Sequence, residues 1–336
     1  MTITIEQPED VLTIQDFIAA MTIDKKQTLG MLMDNIKPIQ EQKKKSTEEI
    51  IISSLYKYKP LNKYVGLEGK VPVRAGTTFV GVEVELERVV MRSDLSGTWN
   101  KTVDNSLKDD GVEFITVPLQ FKYLEVELQR LFGGIKSCHS STRCSIHVHI
   151  NVRDMSLEEL ASFISLYLIF EKSLFNFSGN RWNNNFCVPL GFYPTAPSKF
   201  ISSLLKGEIR ENWYKYLGLN VSPIFGGEST KLGTIEFRHM VGTTNIDYIL
   251  QWINLIVSLK ISAKKMPFKE VKEHIDVMNT TSGYFWLAEQ VFKEYSPLIS
   301  RQPSFKEDVE GCISRAKLIL SQPVKSTKII KFNLKG

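Results

Sequence analysis

The chain has 336 residues, 43% of them hydrophobic, with 42 basic and 37 acidic side chains and a net charge of +5. That supplies a sizeable core for one large domain with appendages or for two domains, and it excludes disorder over most of the length. The charge excess falls short of the basic stripe that phosphate-backbone recognition needs, so nucleic acid is not an expected partner.

No run of 18 apolar residues and no basic region followed by an apolar one marks a membrane span or a secretory signal. The expectation is a cytoplasmic protein with no membrane partner. The cysteines, Cys138, Cys144, Cys187 and Cys312, form no C-x-x-C pair. They are too few for a disulfide framework in a chain this long, which fits a reducing compartment.

Residues 1–66 read as a helical N-terminal extension. Ile14, Phe17, Ile18 and Met21, then Leu29, Leu32, Met33 and Ile36, repeat at helical spacing. Asp24 is placed to cap the second helix and Pro38 to help end it, while Ser46 with Glu49 forms a capping box for a third. These helices form a separate module or pack on the main domain.

Residues 67–265 read as the main domain, with alternating strands at 78–90, 111–117, 144–152 and 234–240. A long helix begins at the Ser156–Glu159 capping box, buries Leu160, Phe163, Ile164, Tyr167 and Leu174, and has Gly179 as its C-cap. A second helix buries Ile249, Trp252, Ile253 and Ile256. Residues 266–336 read as a mostly helical region packed on this domain, ending in the basic "KSTKIIKFNLKG".

The strands carry the chemistry. In "VGVEVELERVV", residues 80–90, Glu83, Glu85 and Glu87 share one face and Val82, Val84 and Leu86 the other. Three carboxylates at that spacing repel unless water screens them or a cation stands in front. In "CSIHVHINV" Ser145, His147, His149 and Asn151 share a face, which puts Cys144 on the apolar side and discounts it as a nucleophile. In "GTIEFRHM" Thr234, Glu236, Arg238 and Met240 face one way and Ile235, Phe237 and His239 the other. Glu113 sits inside an otherwise apolar strand, where a carboxylate needs a partner.

Each face taken alone is also what a salt-bridged strand or a structural histidine produces. Together they describe a polar concavity over an apolar core, rich in oxygen ligands with a little nitrogen, which suits Mg²⁺ or Mn²⁺ better than zinc. The Gly66–Lys70 segment is not a phosphate loop, because only two residues separate its glycines and Val71 stands where Ser or Thr belongs.

The series "FVGVEVELE", "DNSLKDDGVEFITVPL", "CSIHVHINV", "SGNRWNNNFCVPL", "KYLGLNV" and "GTIEFRHMVGTTNIDYILQWINLIVSL", over roughly residues 76–260, resembles the amidoligase family. These are carboxylate-amine ligases on the glutamine synthetase and glutamate-cysteine ligase fold. The resemblance implies an α+β fold: a curved, mainly antiparallel sheet with helices on its convex side, holding ATP and two or more Mg²⁺ ions on the concave face.

It also implies roles. Glu83, Glu85, Glu113 and Glu236 would be metal ligands, with His147 or His149 near the metals. Arg238 and Arg181 would contact phosphate or acyl phosphate, and Asn220 and His149 would lie beside the cofactor. Glu87 has no family role and reads as an accessory. Ser145 stands where glycine is expected, and Asn183, Asn184 and Asn185 replace a more charged stretch. The implied reaction joins a carboxylate to an amine, on a small molecule, a peptide or a cell-wall fragment. Two other readings share these residues: a metal-dependent hydrolase or nuclease, and an inactive relative serving in binding or assembly.

Overall fold

Val, Ile and Phe at alternate positions favour extended strands whose apolar side must be covered. The computed structural model describes residues 50–62, 64–227, 230–300 and 305–321. The helices expected within residues 14–36, the Ser46–Glu49 capping box and the basic tail lie outside them.

The elements run α1 (Ile52–Leu55), β1 (Phe79–Met91), β2 (Trp99–Val103), β3 (Val112–Thr116), β4 (Leu119–Gln120), α2 (Leu124–Gly134), β5 (Ile135–His139), β6 (Ser145–Asn151), α3 (Leu157–Phe177) and α4 (Thr195–Leu204). Then follow β7 (Leu219–Asn220), β8 (Thr234–Val241), α5 (Ile246–Ala263), α6 (Phe268–Val277), α7 (Thr281–Phe292), α8 (Ser296–Ser300) and α9 (Phe305–Ser321). The fold is α+β. Its eight-stranded sheet has the order β2-β3-β1-β6-β8-β7, with β4 and β5 paired to further stretches of β1. Every one of these strand pairings is antiparallel.

One face of the sheet is apolar. Val82, Val84, Leu86, Ile146, Val148, Ile150 and Phe237 are buried there, in one cluster with residues of α3 and α5. Phe237 makes edge-on contacts with Phe163, Tyr167 and Trp252, with ring centroids 6.0, 6.1 and 6.0 Å apart. Helix α3 starts at the Ser156 capping box, with Glu159 N–H donating to Ser156 Oγ and Ser156 N–H to Glu159 Oε2. Helix α5 is capped by Asn245, whose side chain accepts from Tyr248 N–H. Both helices are long and apolar enough to cross a membrane by length and composition, but 83% of the most apolar 18-residue stretch of α3 and 72% of α5 is buried inside the molecule. Core packing accounts for that apolarity.

The described residues, from Ile50 onward, all belong to one compact unit. Ile52 is fully buried in the sheet–helix core, and its N–H donates to Met155 O at 2.9 Å. The helices after Met266 also pack into this unit, with α6 and α9 against α3 and α7 against α5.

One sequence expectation is corrected. Met240 does not share the face of Glu236 and Arg238; it is fully buried opposite Ile146. Ile146 pairs with Met240 whereas Val148 pairs with Phe237, so β8 carries an extra residue at Arg238–His239. Such a bulge inverts the facing of everything beyond it.

Candidate metal centre and its two cavities

Residues directly opposite in an antiparallel pair share a face, with Cβ atoms about 5 Å apart. The register sets Glu83 against His147, Glu85 against Glu113, His149 against Glu236, and Glu236 against Asn220. Acidic and imidazole side chains from β1, β3, β6 and β8 therefore meet on the face the helices leave uncovered.

Glu83 is the hub. Its Oε2 lies 3.0 Å from His147 Nδ1 and its Oε1 3.1 Å from His149 Nε2. Burial works to raise its pKa, but the two imidazoles hold it well below the usual carboxylate range. Glu236 Oε2 accepts from Asn220 Nδ2 at 2.7 Å, and its Oε1 accepts from Arg238 Nη1. Asn220 Oδ1 also accepts from Ser222 N–H. Its amide orients a carboxylate, and it is not among the residues that line either cavity.

Two sets of three side chains have ligand atoms within 4.8 Å of one another: Glu83, Glu113 and His147, and Glu83, His149 and Glu236. Both histidines thus belong to a set, and Glu83 belongs to both. Ligands on one octahedral Mg²⁺ stand about 3 Å apart when adjacent and about 4.2 Å when opposite, so the side chains of either set would draw together around an ion. Carboxylate oxygens with one imidazole suit Mg²⁺ or Mn²⁺. The residues fit such a cation.

Glu85 and Glu87 stand outside both sets. Glu85 Oε2 accepts from Ser145 N–H at 2.8 Å and Ser145 Oγ at 2.5 Å, and its Oε1 lies 3.7 Å from His147 Nε2. Glu87 is buried and its Oε1 accepts from Lys108 N–H at 2.9 Å, anchoring the β2–β3 loop.

A cavity of about 710 Å³ opens on one side of the hub, lined by Glu83, Glu85, Glu113 and His147 together with Asp104, Arg143, Arg181, Arg238 and Tyr216. It carries both acidic and basic groups. Arg181, 7% exposed, donates from Nη1 to Arg238 O at 2.9 Å and has a buried Nε without a partner. Gly179 delivers it: the residue follows α3 with φ +101°, and a Cβ there would stand 2.6 Å from Val241. A narrower slot of about 160 Å³, walled mainly by apolar groups, adjoins Glu83 and His149 on the other side.

His239 behaves differently from the β6 pair. It lies on the helix-covered face, 2.8 Å from Tyr167 Oη, and burial, then Arg181, pushes its pKa down to about 3. It is a neutral core histidine. Cys144 is fully buried and burial raises its thiol pKa. Sequence reasoning did not single out Asp104, Arg143 or Tyr216, which come from loops where no periodicity points inward.

No family model matches the chain, and neither does any curated protein.

Proposed function

We propose that the chain is an ATP- and Mg²⁺-dependent carboxylate-amine ligase of the glutamine synthetase and glutamate-cysteine ligase type, the type its motifs resemble. One observation carries this reading: two three-residue cation sets share Glu83 and stand between an arginine-lined cavity and a second, apolar slot. A ligase must bring a triphosphate and a carboxylate together, two anions that repel. Cations and guanidinium groups between two pockets answer that need.

The reaction moves the γ-phosphoryl of ATP onto a carboxylate oxygen, releasing ADP. An amine nitrogen then attacks the acyl carbon, the carbon–oxygen bond to phosphate breaks, and the nitrogen loses a proton as the amide forms. Mg²⁺ held by Glu83, Glu113, His147, His149 and Glu236 would neutralise phosphate charge during the transfer. Arg181 and Arg238 offset charge on the acyl-phosphate oxygens, the former through its unpartnered Nε. Asn220 and Arg238 hold Glu236 in place. Asp104, on the wall of the same cavity, supplies an acidic group suited to a cationic amine.

The test is nucleotide use. ADP release should require Mg²⁺, a carboxylate and an amine together, and Glu83→Ala or Glu236→Ala should abolish Mg²⁺-dependent nucleotide binding in a folded protein. Phosphodiester cleavage without ATP would identify a metal-dependent hydrolase instead. A folded wild-type chain that binds neither Mg²⁺ nor nucleotide would be left as a binding or assembly protein.

A further inference from the structure

The 160 Å³ slot is built unlike the large cavity. Its walls include Phe79, Val80, Ile115, Pro118 and Leu232, and it meets the metal centre at Glu83 and His149. Apolar walls disfavour phosphate or carboxylate but suit a flat heteroaromatic ring. A phosphate chain on the Glu83–His149–Glu236 set would have its other end beside this slot.

The slot owes its space to Gly81. This residue pairs with His149 and takes the same side of β1 as Glu83, where a side chain would project into the gap. A Cβ built there meets only His149 Cβ, at 3.6 Å. The position is open, and the backbone tolerates a larger residue.

Asn151 supplies the second observation. It is 8% exposed, lines the slot, and its Oδ1 has no hydrogen-bond partner. Its Nδ2 donates to Asp154 Oδ1 at 3.4 Å. Asp154 is held by Lys260 Nζ at 2.6 Å and Lys264 Nζ at 2.9 Å. The reversed amide would set Oδ1 against that carboxylate, so the free group is fixed as an acceptor. Other polar groups of the slot are occupied: Thr116 Oγ1 accepts from Val82 N–H, Thr234 Oγ1 pairs with His149 Nδ1, and Arg153 donates to Leu232 O and Lys59 O. A buried acceptor without a partner is costly until a ligand donor fills it.

We propose that this slot seats the nucleobase, and that Asn151 makes it selective for a base carrying an exocyclic amine, adenine over hypoxanthine. The inference rests on the nucleotide reading above and adds where the base sits and what chooses it. A 6-keto group in the adenine pose would face Asn151 Oδ1 with a second acceptor and leave both unpaired.

Calorimetric titration of the full chain with ATP, ITP and inorganic tripolyphosphate, each with Mg²⁺, tests it. ATP should bind about ten-fold or more tightly than either of the others. Gly81→Leu should lower ATP affinity to that of tripolyphosphate, and Asn151→Ala should bring ATP and ITP together. Equal binding of ATP and tripolyphosphate by the wild type, or unaltered ATP binding by folded Gly81→Leu, overturns the slot. Equal ATP and ITP affinities overturn the role of Asn151. Should Gly81→Leu not fold, the wild-type comparison and Asn151→Ala still decide. Binding of tripolyphosphate without preference for ATP leaves the metal reading standing while this inference falls; failure of all three ligands overturns both.

Discussion

Glu113 lies opposite Glu85 and within ligand reach of Glu83. Burial, then the charges of Glu83, Glu85 and Asp104, push its carboxyl up to about 8. In the absence of a cation it therefore carries a proton at neutral pH, and a cation must displace that proton to use the oxygen. Mg²⁺ affinity should rise with pH through neutrality and level off above about 8, with proton release on binding. Titrations in buffers of different ionisation enthalpy would detect it; pH-independent binding between pH 6 and 8 would contradict it. Ser145 offers a second test, because it supplies two donors to the buried Glu85 carboxylate. Ser145→Gly removes the hydroxyl and should cost about 1–3 kcal/mol of stability, measurable by denaturant unfolding. Alternation alone placed Glu83, His147 and His149 on one side of their strands. It was silent on Ser145 as the partner of Glu85, because a hydroxyl's use depends on which strand lies next to it.

Strand β8 shows how an element can serve both faces of a sheet. Glu236 and Arg238 project to the candidate metal centre while Phe237 and His239 enter the helical core, so loss of packing on one side loosens the other. Phe237→Ala should cost about 3–5 kcal/mol through lost transfer energy, aromatic contacts and a cavity. Unfolding curves would check the loss. The end of α3 is coupled to the site in a similar way: Gly179→Ala forces a Cβ against Val241 at a left-handed backbone position and displaces Arg181. It should reduce both stability and the proposed ligase turnover, and wild-type-like values of both would count against the role given to Arg181. Strand β2 escaped sequence reading because only its first residue, Trp99, is buried and the other four are exposed. An edge strand held by backbone pairing leaves no alternation to find.

The compact unit that contains the described residues includes Ile52 in its core, so truncations should divide sharply. A chain starting at Lys45 should keep a cooperative thermal transition. One starting at Leu61 loses the fully buried Ile52 and should be destabilised by at least about 2–5 kcal/mol, the range for truncating a buried aliphatic side chain. Equal melting behaviour of the two would refute the place given to Ile52. The same unit sets two cavities of different character on either side of Glu83, so the charged end and the flat end of a nucleotide would meet different surfaces.

Read as a one-dimensional pattern, the chain already separated apolar from polar strand faces, marked the start of α3 by its capping box, and indicated the acids and imidazoles that now form the hub. Period-two and period-3.6 spacing are local properties, fixed by backbone geometry within a few residues. Convergence is not local. Glu83 meets His147, His149, Glu113 and Glu236 only because β1 lies between β3 and β6 and β6 beside β8, a register set by long-range pairing and core packing. The bulge that buries Met240, the loops that bring Arg143 and Asp104 inward, and the slot opened by Gly81 arise the same way: each needs a neighbour distant in the chain to give it meaning.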